Sequence, residues 1–125
     1  MFVIQSDKTI CVTRGDIANI VVSASAGGGA GYVFAVGDVV RFKVFERKSS
    51  ANVVILKDVT VEEETETVTV NLTGQDTKIG DFINKPTDYW YEIELNPDTQ
   101  PQTIIGYDED GEKIFRLYPE GGDSM

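Results

Sequence analysis

Three segments of the chain alternate between apolar and polar side chains. In Val39–Phe45, the basic residues Arg41 and Lys43 stand between apolar ones, and residues 67–72 and 89–95 repeat the same period of two. This period places every second side chain on one face of a strand, so that one face is buried and the other meets water. The three segments are therefore predicted to be half-buried β-strands.

Six further runs are rich in β-branched and apolar residues and are separated by turn-forming residues. These runs are residues 2–4, 9–13, 17–25, 53–61, 103–107 and 113–118. The run 53–61 is so apolar that its inward set stays undecided between Val53 with Ile55 and Val54 with Leu56. Short strands at intervals of about 8–12 residues are typical of an all-β sandwich, and we predict an antiparallel one of seven to eight strands.

One short helical turn interrupts the strand pattern, near residues 73–80. There the Thr73 side chain can cap backbone N–H groups around Asp76. Residues 1–119 are predicted to form a single domain, and residues 120–125 a flexible C-terminal tail.

Composition narrows the range of functions. The chain has 125 residues, with no histidine and one cysteine, Cys11. The lack of histidine removes the commonest general base and metal ligand, and Cys11 alone forms neither an internal disulfide nor a thiolate zinc site. We therefore expect no enzyme activity, no metal and no cofactor. The net charge of −10 also argues against nucleic acid as a partner.

Charge is divided unevenly along the chain. Residues 1–57 carry seven basic and four acidic side chains, and residues 58–125 carry four and seventeen. The division favours association between copies or with a basic partner, although the carboxylates can also serve only to solvate strands and turns. No basic cluster precedes an apolar run at the N-terminus, so we expect synthesis in the cytoplasm without a signal peptide. No apolar run is long enough for a membrane span.

Three short motifs are interpreted as structural. The tripeptide Arg14-Gly15-Asp16 is predicted to be a bend between strands that glycine permits, with its charges in water. The glycine run 27–31 lacks the lysine and hydroxyl residues of a phosphate loop and is predicted to be a mobile loop. Residues 108–112 resemble part of a calcium loop, but Pro119 stands where that loop needs a glutamate, so a hairpin turn at Asp110-Gly111 is predicted.

The strongest candidate for a contact surface surrounds Trp90. Alternation puts Trp90 on the outward face of its strand together with Glu92 and Glu94, and tryptophan is enriched at binding hot spots. In sandwiches the Val39–Phe45 strand often neighbours this one. The predicted interface residues are Trp90, Arg41, Lys43, Phe45, Glu92 and Glu94. The alternative is a set of cross-strand ion pairs and a cation–π contact that need no partner.

Four segments in a fixed order carry a family resemblance. They are TRGD at 13–16, GDVVRFKV at 37–44, VNLTGQDT at 70–77 and YWYEIEL at 89–95. The chain resembles the immunoglobulin-like structural domain of tailed phages and prophages, and is similar to the N-terminal domain of the phage baseplate upper protein. The resemblance spans about residues 10–118. It implies an immunoglobulin-like β-sandwich without catalytic residues, located in the virion. Its partners would be other tail or baseplate proteins and further copies of itself.

Because the chain stops where the baseplate protein continues into segments that hold receptor-binding proteins, we expect an adaptor or decoration protein. Two other classes stay open. A carbohydrate-binding or adhesive module would stack sugars on exposed aromatics such as Trp90 and Tyr107. A small hydrolase would need one of two carboxyl groups in a pocket with a raised pKa.

Overall fold

A computed structural model describes residues 2–4, 8–24, 31–46, 53–79, 85–106, 111 and 113–119, with the backbone only for 2–4. Within these ranges the chain forms nine strands and one helical turn, and each predicted run overlaps one of the strands. The elements are β1 Phe2–Ile4, β2 Ile10–Thr13, β3 Ala18–Val22, β4 Val39–Phe45, β5 Val53–Thr60, β6 Val68–Leu72, α1 Gly74–Thr77, β7 Thr87–Leu95, β8 Gln102–Ile105 and β9 Lys113–Tyr118. Nine strands exceed the predicted seven to eight; β1 and β8, of three and four residues, are short strands at the margin of a sheet.

The strands form two sheets. The larger sheet has the order β1-β2-β9-β7-β4-β5, with β8 pairing to part of β7, and the smaller sheet contains β3 and β6. The succession β5-β4-β7-β9 in one sheet, with β3 and β6 in the other, is an immunoglobulin-like arrangement. The predicted all-β sandwich is confirmed.

One pair of strands departs from the predicted antiparallel arrangement. Strand β2 runs parallel to β9, with Ile10 beside Phe115 and Thr13 beside Tyr118, whereas the other described pairs are antiparallel. A parallel pair requires a long connection, and here almost the whole sandwich lies between the two strands. No hairpin pattern in the sequence could reveal it.

The core lies between the two sheets and follows the alternation. Strand β4 buries Val40, Phe42 and Val44 completely, and β6 buries alternate residues in the same way. The largest fully buried side chains are Phe34, Phe42, Phe115, Ile10, Leu72, Ile93 and Leu117. Burying a large apolar side chain contributes roughly 1.5–3 kcal/mol, so this layer is the main source of stability.

A bulge in the β4–β5 pairing determines which residues of the run 53–61 point towards the core. Ile55 lies opposite Val44 and is buried, while Val53 lies opposite Phe45 and is 44% exposed; the register shifts between Val44 and Phe45. Val54 is the extra residue and packs partly against the core. Neither of the two inward sets considered from sequence is therefore correct, because a bulge interrupts the period of two.

The predicted helical turn and one predicted hairpin glycine are confirmed. Thr73 Oγ1 accepts a hydrogen bond from the Asp76 amide at 3.1 Å, and Asp76 Oδ2 accepts one from the Thr73 amide at 2.8 Å, which makes a capping box. Gly111 has φ +93°, as the predicted turn requires. The glycines at 27–30, the rest of the 108–112 motif and the tail 120–125 lie outside the described residues.

Candidate protein-interaction face

The outer face of strands β4 and β7 brings the six predicted residues together. The two strands are neighbours, as predicted, with Arg41 opposite Glu94, Lys43 opposite Glu92 and Phe45 opposite Trp90. Antiparallel partners point to the same side of a sheet. The proposed contact residues therefore form one surface of the large sheet, on the side away from the core.

Lys43 is the charged centre of this surface. Its Nζ lies 3.3 Å from Glu92 Oε1, 3.0 Å from Glu94 Oε1 and 5.5 Å from the centre of the Phe45 ring. The Glu94 contact is an ion pair without hydrogen-bonding geometry. Burial alone would lower the pKa of Lys43, but attraction by Glu94 and then Glu92 outweighs it and raises that pKa. The ion pairs and cation–π contact of the alternative interpretation are thus present.

Arg41 binds two carboxylates that the sequence interpretation did not include. Its Nε and Nη2 donate to both oxygens of Asp58 at 2.8 and 3.0 Å, and Nη2 also donates to Asp98 at 3.1 Å. Hydrogen bonds from Arg41 lower the pKa of Asp58. Asp58 could have been found by extending the alternation across the predicted β4–β5 hairpin, whereas Asp98 follows β7 in a turn and leaves no periodic signal.

The apolar part of the face forms a row across four strands, which we call the apolar strip: Val53, Phe45, Trp90 and Ile114, with Leu56 beside it. Register places these residues next to one another from β5 to β9. Val53 and Leu56 are 44% and 51% exposed, Trp90 and Ile114 are half-buried, and Phe45 is buried at 7%. The strip combines aromatic and aliphatic side chains with carboxylates at its border, as in the core and rim of protein interfaces.

Two expectations about exposure need correction. Phe45 lies on the predicted face, next to the bulge at Val44, but it is buried rather than exposed. Trp90 also lies on the predicted face but is only half-exposed, and its Nε1 is a buried donor with no hydrogen-bond partner among the described residues. Tyr107, the second aromatic considered for sugar stacking, lies outside the described residues.

The Arg14-Gly15-Asp16 segment is a bend, and its surroundings explain the sequence. Gly15 has φ +90°, a conformation that favours glycine. A Cβ on Gly74 would come within 2.6 Å of the Gly15 carbonyl oxygen. Arg14 is half-buried, and its Nε donates to the Ile79 carbonyl at 3.2 Å, so its charge is not simply in water as predicted. The tripeptide therefore connects the bend after β2 to the segment around α1, which it contacts at Gly74 and Ile79.

Among the described residues, no group of three or more histidine, cysteine, aspartate or glutamate side chains is placed to hold a metal ion. The one helix in those ranges has four residues, so none reaches the length that a bilayer crossing demands. Comparison with protein-family models, curated protein sequences and solved structures returns no match to this chain.

Proposed function

We propose that this protein is a non-catalytic structural component of a phage or prophage tail or baseplate, an adaptor or decoration module that acts through protein–protein contacts. The partner would bind the apolar strip on the outer face of the large sheet. The phage assignment rests on the four ordered sequence segments, and the contact surface rests on geometry.

The apolar strip is the observation that carries the proposal. Exposed Val53 and Leu56 lie on the same sheet face as the half-buried Trp90, and Phe45 stands between Val53 and Trp90. Trp90 itself is flanked by Phe45 and Ile114, and a partly covered aromatic residue among apolar neighbours is typical of a binding hot spot.

Electrostatics around the strip define the partner's chemistry. The two cations, Arg41 and Lys43, contact four carboxylates, those of Asp58, Asp98, Glu92 and Glu94, which leaves two more negative than positive charges. A partner with an apolar centre and a basic rim would be complementary, because complementary charge guides encounter and orientation. Nucleic acid would be repelled.

The first test is the DNA on either side of the gene, followed by binding measurements with the purified products of the neighbouring genes. We expect genes for tape-measure, fibre or lysis proteins, and one product that binds the chain in biolayer interferometry. Val53→Asp and Leu56→Asp should each weaken that binding by about tenfold or more, because a carboxylate would be desolvated in the contact.

Val36→Asp is the matched control. Val36 is 69% exposed and lies before the opposite end of β4 from Phe45, so the variant adds the same charge away from the strip and should bind like the native chain. Neighbouring genes for secreted enzymes or sugar transporters, or strip variants that bind as tightly as the control, would refute the proposal. Neighbouring genes for secreted enzymes or sugar transporters would instead favour a glycan-binding module.

A further inference from the structure

Strand β3 uses only one of its two edges. It pairs with β6 along its whole length, from Ala18 opposite Leu72 to Val22 opposite Val68. No described residue pairs with its other edge. An unpaired edge presents a row of backbone N–H and C=O groups that can bind another strand.

The β3 segment lacks three features that usually prevent such pairing, namely charged side chains, proline and a bulge. Residues 17–24 contain no charged side chain and no proline, and the β3–β6 register shows no bulge. Ile17 and Val21 are exposed at 66% and 60%. The edge strand β5 of the large sheet differs, because it carries Lys57 and Asp58, and charged residues on an edge discourage association.

A groove of about 700 Å³ runs beside the same edge. Ile20, Val21 and Ala24 line one side of it, and Ile93 and Ile105 of the large sheet line the other. The two sheets therefore stand apart here, which leaves room at the β3 edge for another strand. Strand addition at such an edge combines backbone hydrogen bonds with apolar side-chain contacts.

Charge indicates which strand would fit. The chain carries a net charge of −10, so two copies repel each other in most relative orientations. The β3 segment, in contrast, is neutral. In a two-fold pairing this neutral segment faces its own copy, so that no like charges of β3 oppose each other across the axis. Such a two-fold contact is isologous, because both copies contribute the same edge.

We propose that β3 pairs antiparallel with β3 of a second copy of this chain, so that β6-β3 and its symmetry mate form one continuous four-stranded sheet. The inference does not rest on the proposed function, since the apolar strip lies on the other sheet and remains accessible in such a dimer.

The test is sedimentation velocity of the full chain from about 10 to 500 µM, because dimerisation follows mass action. We expect a reversible dimer. Val21→Lys should raise its dissociation constant by about tenfold or more, because two added cations would lie near each other across the axis. Val21 is exposed, so the fold should tolerate lysine. Val36→Lys changes the net charge equally at another exposed valine and should leave the constant within about twofold.

Hydrogen exchange identifies the surface that associates. In the native chain, amide protection of residues 18–23 should increase with protein concentration, whereas protection of β5 should not. A chain that stays monomeric over the whole range, a dimer that Val21→Lys leaves intact, or protection gained on β5 instead of β3 would each overturn the proposal. None of these outcomes bears on binding through the apolar strip.

Discussion

A single buried hydroxyl connects two segments that are distant in sequence. Thr77 is fully buried, and its Oγ1 accepts a hydrogen bond from the Gly15 amide at 3.0 Å and donates one to the Asp16 carbonyl at 2.8 Å. The helical turn α1 thereby holds the bend between β2 and β3. The cap at Thr73 was predictable from local spacing, but the Thr77 contact was not, because its partners lie about sixty positions away in the chain.

Replacing Thr77 should show what this hydroxyl contributes. Thr77→Val keeps the shape but leaves the Gly15 amide and the Asp16 carbonyl without their partner, so the free energy of unfolding should fall by about 2–3 kcal/mol. Thr77→Ser keeps the hydroxyl and loses one methyl group, for a fall of about 1 kcal/mol. Urea unfolding followed by Trp90 fluorescence measures both. Equal losses for the two variants would contradict the hydrogen-bonding role.

At the scale of elements, a side-chain network fixes the start of β4 to the end of β7. Asp38 accepts hydrogen bonds from the Tyr32 hydroxyl at 2.7 Å, the Ala35 amide at 2.9 Å and Asn96 Nδ2 at 3.1 Å. Asn96 Oδ1 in turn accepts from the Val39 amide at 2.8 Å. Asn96 has φ +49°, which asparagine tolerates better than most residues. The network thus joins the first residue of β4 to the residue that follows β7, at the opposite end of this strand pair from Phe45 and Trp90.

Asp38→Ala removes three acceptor contacts from this network. We expect the free energy of unfolding to fall by about 2 kcal/mol, since each net hydrogen bond contributes on the order of 1 kcal/mol and the site is only half-buried. Asp38→Asn keeps one carbonyl acceptor and should lose about half as much. The measurement is again urea unfolding. A loss below about 0.5 kcal/mol for Asp38→Ala would show that the β4–β7 register does not depend on the network.

The sequence predicted the positions of the strands better than it predicted which strands pair with each other. Alternation located β4, β6 and β7 and their inward faces, because half-buried strands impose a period of two. It also placed Trp90 beside Phe45, through a neighbour relation common to sandwiches. It could not predict the bulge beside Val44 or the burial of Phe45. The β2–β9 pairing and the Arg41–Asp98 contact join residues far apart in the chain, and neither leaves a local pattern.

For the whole molecule, the direction of several pKa shifts defines a pH range of stability. Burial opposes ionisation of Asp38 and Asp76, but their hydrogen bonds outweigh it and lower both pKa values, as Arg41 does for Asp58. These carboxylates stabilise the fold above their unfolded pKa of 3.8 and lose that contribution as pH falls through the folded value. Tyr32, through its hydrogen bond to Asp38, and Lys43 have raised pKa values, so they stabilise below about 10.

The urea midpoint should therefore stay nearly constant between about pH 5 and pH 9, and fall below about pH 4 and above about pH 10. Asp58→Asn should reduce the acid-side decrease, because the residue then has no proton to bind. The measurement is urea unfolding at one-unit pH steps and constant ionic strength. A steady loss from about pH 5 to pH 9 would instead indicate that repulsion among the acidic side chains controls stability.

The parallel pairing of β2 with β9 has a mechanical consequence. The chain enters β2 at Ile10 and leaves β9 at Tyr118, which lie at opposite ends of the paired segment because the strands run in the same direction. Tension applied to the two ends of the chain first peels β1 from β2, one bond after another, since that pair is antiparallel. The next pair, β2 with β9, cannot be peeled in this way, because its strands are parallel. It is loaded in shear, so that its hydrogen bonds share the force and must break together.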